Sequence, residues 1–87
     1  MRKQYTQILK AHFYQKLFRC RVELDITQEE MACRLSMANR TYVDLEHGKT
    51  GCSALTLALF LIYICTDPIE FLEELRDAFE NEDKKAA

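Results

Sequence analysis

Glycine and proline are scarce, with two Gly and one Pro in 87 residues. So few chain-reversal residues exclude a sandwich or small barrel of many short strands. No apolar run is long enough to span a membrane. The longest, Ala54 to Cys65, has 12 residues with Thr56 inside it, against about 20 for a spanning helix. The first residues lack a continuous apolar core with a small-residue cleavage site, so no signal peptide is expected. Cys-x-x-Cys and close Cys/His pairs are absent too. Cys20, Cys33, Cys52 and Cys65 lie 13, 19 and 13 positions apart, and His12 and His47 are isolated. That spacing supports no zinc or redox site. The thiols are expected to be small, buried apolar fillers in a cytoplasmic protein without metal or cofactor.

What is present describes one small folded domain spanning residues 1–87. Nearly half the chain is apolar, 48%, and the net charge is only −2, a balance that excludes a disordered segment. The charge is uneven. Residues 1–26 hold six basic side chains against two acids, residues 27–52 three against four, and residues 53–87 three against eight. A basic beginning and an acidic end in one small domain suggest two faces with different partners.

Periodicity gives helices. Tyr5, Leu9, Phe13, Leu17, Cys20 and Leu24 fall on one face of a long first helix from about Gln4 to Leu24. Asp25 sits where a left-handed residue could end it. Thr27-Gln28-Glu29-Glu30 reads as a capping box opening a short helix with Met31, Ala32 and Leu35. Ser36-Met37-Ala38 is a break. A second short helix runs from about Asn39 to Glu46 with Tyr42 and Leu45 inward, and Gly48 closes it at the C′ position. Ser53 caps a fourth helix, Ala54 to Cys65. Asp67-Pro68 starts a fifth, carrying Ile69, Phe71, Leu72, Leu75 and Phe79. Residues 81–87 are polar or small and are expected to fray.

Two short helices joined by a three-residue break describe a helix-turn-helix over about residues 28–47. Ala32 must be small because the second helix crosses close above it. Met37, Tyr42 and Leu45 must be buried to fix the crossing angle. The first turn of the second helix is then presented outward, where a major groove would receive it.

The stretch Thr27-Gln28-Glu29-Glu30-Met31-Ala32, through Leu35-Ser36-Met37 to Leu45-Glu46-His47-Gly48-Lys49, resembles the Cro/CI (XRE) family of helix-turn-helix regulators. Ile64-Cys65-Thr66-Asp67-Pro68-Ile69-Glu70-Phe71 resembles that family's last inter-helix connection, and the likeness covers roughly residues 13–72. It implies an all-α, five-helix lambda-repressor-like domain with a long first helix. It also implies binding to double-stranded DNA as a dimeric repressor of a short palindromic operator. By position, Gln28 would hold a DNA phosphate at a helix N-terminus. Ala38, Asn39, Arg40 and Thr41 would open the recognition helix, where Asn can read adenine and Arg guanine. Lys49 would contact backbone phosphate, and Arg21 with Glu46 would form a structural ion pair. The chain departs from the family pattern in four places. Ser36 and Asp25 replace glycines, and Val43 and Asp44 stand where DNA-facing polar or basic residues are usual. Asp44 repels phosphate yet can accept from a cytosine amino group.

Leu55, Leu59 and Ile62 add a second apolar stripe to the fourth helix, which needs either a cover within the chain or a partner. One expectation is a homodimer interface formed by Leu55, Leu59, Ile62 and Tyr63. The other is that the long first helix folds over the stripe. A rival function is an interaction module, antitoxin-like or anti-repressor, whose acidic C-terminal helix (Glu70, Glu73, Glu74, Asp77) meets a basic protein partner. No enzyme is expected, since the histidines, carboxylates, Thr6, Ser36 and Ser53 show no nucleophile–base spacing.

Overall fold

The computed structural model describes residues 2–86, which are all-helical, with no strand among them. The helices are α1 (Arg2–Leu24), α2 (Gln28–Arg34), α3 (Asn39–Glu46), α4 (Ala54–Leu59) and α5 (Pro68–Ala86). A π-helical turn, Phe60–Ile64, continues α4.

The helix starts follow from short polar side chains. Thr27 Oγ1 accepts from the Glu30 N–H at 3.1 Å, Ser53 Oγ from the Thr56 N–H at 3.2 Å, and Asp67 Oδ1 from the Glu70 N–H at 3.0 Å. Each satisfies a donor that the first helical turn leaves open. The capping box at Thr27 is only half built, because the Glu30 carboxylate turns to Arg34 Nη2, 3.2 Å away and one turn along the helix.

The first three helices end in one way. Asp25, Ser36 and Gly48 adopt left-handed backbone, with φ of 55°, 57° and 74°. After each, the next N–H reaches back five residues: Ile26 to the Arg21 carbonyl at 3.3 Å, Met37 to Ala32 at 3.0 Å, Lys49 to Asp44 at 2.9 Å. These bonds absorb carbonyls stranded at the helix ends and reverse the chain within two residues. Only one of the three positions is glycine.

The core centres on three rings. Phe13 of α1, Phe60 and Phe71 of α5 are fully buried, with centroids 5.1 Å (Phe13–Phe60), 5.6 Å (Phe60–Phe71) and 6.3 Å (Phe13–Phe71) apart. Leu17, Met31, Ala32, Leu35, Tyr42, Leu45, Ile64 and Leu75 complete it. Fully burying one such ring stabilises the fold by roughly 1.5–3 kcal/mol. α1 packs on α3 and α5, and α2 on α3. The α1–α5 seam is antiparallel: Tyr5 stacks on Phe79 and its hydroxyl bonds Asp83, while Lys16 Nζ pairs with Glu74 at 2.8 Å.

Several expectations are corrected. The helix through residue 64 is not uniform: Phe60–Ile64 takes the wider π turn, closed by the Cys65 N–H on the Phe60 carbonyl at 2.8 Å. Residues 81–86 continue α5, with the Tyr5 hydroxyl bonded to Asp83 and Lys84 and Lys85 near the negative end of the helix dipole, whereas Ala87 lies outside the described residues. Leu24 lies exposed, outside the stripe assigned to it, and Met37 is only half-buried. Ile69 and Leu72 point outward while Phe71 and Leu75 supply the core side of α5. All four cysteines are free thiols, and none is buried: Cys33 is exposed, and Cys20, Cys52 and Cys65 are half-buried. No helix among the described residues is long and apolar enough to cross a membrane. No group of three or more His, Cys, Asp or Glu side chains among them is placed to hold a metal.

Candidate functional site

The α2–α3 unit presents two kinds of residue, a buried polar cluster that locks it and an exposed row that faces solvent. Arg21, Gln28, Tyr42 and Glu46 come together from α1, α2 and α3. Arg21 makes a two-pronged bond to Glu46, Nε to Oε2 at 2.9 Å and Nη2 to Oε1 at 3.0 Å. Its third prong, Nη1, donates to the Ile26 carbonyl at 3.3 Å, just past the left-handed turn at Asp25. The Tyr42 hydroxyl donates to Glu46 Oε2, and Gln28 Nε2 donates to Glu46 Oε1 at 3.3 Å. One carboxylate therefore takes donors from all three helices.

Glu46 is 5% exposed. Burial alone would push its carboxyl up, but the bonds from Arg21, Tyr42 and Gln28 outweigh burial and hold it below the ordinary carboxylate value. The same contact with Glu46 raises Arg21, and burial followed by the Glu46 bond pushes the Tyr42 phenol far up. The cluster is thus ionised Glu46 and Arg21 with a protonated Tyr42. The Tyr42–Glu46 spacing of one helical turn is the sequence signal for this contact.

Gln28 is half-buried and its amide N–H is turned to Glu46. Ala38, Asn39, Arg40 and Thr41 are exposed at the start of α3. Ala38 supplies no side-chain cap, so the first-turn N–H groups of α3 stay open at the positive end of the helix dipole. Arg40, Asp44 and His47, at i, i+4 and i+7, share the side opposite Tyr42 and Leu45. Val43 and Asp44 are half-buried. Lys49 is exposed just beyond α3, its backbone N–H fixed on Asp44. Among the described residues no acid pairs with Arg40 or Lys49.

The contact of Tyr14 with the end of α3 was not foreseen. A Cβ added at Gly48 would lie 3.0 Å from Tyr14 Cδ1 and 3.1 Å from Cε1. Glycine therefore serves both the left-handed turn and the close approach of α1.

The apolar stripe on the fourth helix is not covered by α1. Leu55, Ile62 and Tyr63 are 68%, 67% and 72% exposed, because α1 spends its inner face on α3 and α5. Leu59 departs from the stripe and packs half-buried against the core. No protein-family model matches the chain, and neither does any curated protein or solved structure.

Proposed function

We propose that the chain is a sequence-specific regulator of transcription with a lambda-repressor-like fold of the Cro/CI (XRE) kind. It works in the cytoplasm on double-stranded DNA, without cofactor or catalysis. The observation that carries this reading is the exposed, uncapped first turn of α3, Asn39-Arg40-Thr41, held at a fixed angle on α2 by the Glu46 cluster. An α-helix fits the major groove, and Asn and Arg are side chains able to bond bidentately to adenine and guanine edges there. Lys49, exposed just beyond α3, would contact backbone phosphate, and the open N–H groups of α3 favour an anion.

Leu55, Ile62 and Tyr63 then serve as a two-fold dimer interface that spaces two reading helices across a palindrome, and the dimer acts as a repressor by occlusion. Sedimentation at tens of micromolar (an order of magnitude suited to a modest interface) that finds only monomer contradicts the dimer. The reading residues are tested by Arg40→Ala, which should cost about 1–3 kcal/mol on the preferred duplex and relax its sequence preference. Unchanged affinity and preference count against the reading.

A second reading has its own observation. Ile69 and Leu72 are exposed on α5 beside Glu70 and Glu73, a surface suited to a basic protein partner, as an antitoxin-like or anti-repressor module would need. Loss of partner binding on Leu72→Asp, with Arg40→Ala silent, would select it.

A further inference from the structure

Tyr14, Phe18 and Val22 recur every fourth residue along the outer side of α1 and form one apolar strip. Phe18 and Val22 are 52% and 55% exposed, although Phe13 and Leu17 on the other side of the same helix are fully buried. A shallow trough of about 670 Å³ follows the strip, and every residue lining it belongs to α1. Two contacts hold the strip in place. The Tyr14 ring lies against Gly48 at the end of α3, and the Arg21 guanidinium, pinned by Glu46, lies 5.6 Å from the centre of the Phe18 ring.

Charge narrows what such a strip can receive. α1 carries six basic residues and one acid, Glu23. Glu74 and Glu46 answer Lys16 and Arg21, whereas Lys3, Lys10 and Arg19 have no acid partner among the described residues. Helical geometry sets Lys10 on one flank of the strip and Arg19 on the other, with Glu23, the one acid of α1, a turn beyond Arg19. Strip against strip in a second copy would bring like charges together, which disfavours pairing of α1 with itself. Phosphate alone would leave Phe18 and Val22 without an apolar contact.

We propose that the outer face of α1 is a docking surface for an acidic amphipathic helix of a partner protein. Apolar residues of that helix seat on Tyr14, Phe18 and Val22, and its flanking carboxylates face Lys10 and Arg19. The strip rises about 12 Å, a little over two turns, so anchors at i, i+4 and i+7 of the partner span it. This surface is separate from the exposed turn of α3 and does not depend on the DNA reading.

The test is selection of helical peptides from a displayed random library against the full chain. The expected winners are acidic amphipathic sequences that bind Phe18→Glu and Arg19→Glu at least tenfold more weakly and lose binding when their own acids become Lys. Val22→Glu, also at an exposed position, gives a second, independent disruption should Phe18→Glu lower the melting temperature. Four results overturn the proposal. They are no enrichment, enriched peptides indifferent to both Phe18→Glu and Val22→Glu, loss of DNA affinity in those variants, and loss of self-association in them. The last two would assign the strip to DNA or to a second copy.

Discussion

Gln28 Nε2 donates to Glu46 Oε1 at 3.3 Å, so the residue proposed to hold a phosphate is itself held by the carboxylate that Arg21 grips with two bonds. The amide is thereby oriented before any ligand arrives, and one carboxylate couples the start of α2 to the end of α3.

Gln28→Ala should therefore act twice. Loss of one hydrogen bond lowers stability by about 0.5–1.5 kcal/mol. Loss of a phosphate contact weakens every duplex by a similar factor and leaves both sequence preference and the salt slope alone, because a neutral amide displaces no counterion. Melting curves and salt titrations on two unrelated duplexes read both effects. A change in sequence preference would contradict the assigned role.

Glu46→Ala leaves the Arg21 guanidinium, 18% exposed, and the Tyr42 hydroxyl without their shared acceptor. Breaking a buried pair from one side costs about 3 kcal/mol, a fall of more than 10 °C in the melting temperature of a domain this size by rough proportion. Adding Arg21→Ala should destabilise less than the two single costs together, because the stranded charge goes too. Denaturant unfolding of the two singles and the double tests this, and strict additivity would contradict it.

The left-handed positions differ in what they tolerate. At Gly48 a Cβ meets both positive φ and the Tyr14 ring, so Gly48→Ala should cost about 1–2 kcal/mol. Gly51, with nothing within 4 Å of an added Cβ, should accept Ala with little change. Ser36→Gly runs the other way, relieving a strained non-glycine residue for a gain of roughly 0.5–1 kcal/mol. Chemical denaturation of the three variants gives the order, and a stabilised Gly48→Ala would contradict it.

Acid should lower the stability of the domain over two pH windows. Burial lowers His12 from its ordinary value of 6.5, against the opposing pull of a backbone bond at Phe71 and of Glu74. The fold thus prefers neutral His12, and the stability this contributes, present above 6.5, is lost as pH falls from there through the folded value. Glu46, held below its ordinary 4.5, contributes stability that is present above 4.5 and lost as pH falls through its own lower value. Melting temperature measured from pH 7.5 to 3 should decline in both windows, and His12→Leu should flatten the upper one. An unchanged upper decline in that variant would assign it to other groups.

The legible parts were those with local causes. Thr27, Ser53 and Asp67 announce helix starts because a short oxygen-bearing side chain is the only nearby acceptor for a first-turn N–H. Asp25, Ser36 and Gly48 announce helix ends because the apolar spacing stops there. What stayed hidden depends on neighbours distant in sequence. Residues 81–86 look like a fraying end until Tyr5 is placed beside Phe79 and Asp83. Leu59 looks like a member of an outer stripe until its packing against the core is seen. The site divides similarly. That Asn39, Arg40 and Thr41 open α3 and face solvent was readable from their position, whereas the turning of Gln28 toward Glu46 was not.

The central claim, that α3 reads DNA sequence, is tested most directly by selecting bound duplexes from a random pool at moderate salt, with the folded protein as bait. The account predicts enrichment of a palindrome with half-sites about 10 bp apart, lost with Arg40→Ala. A folded protein that enriches no sequence would contradict it.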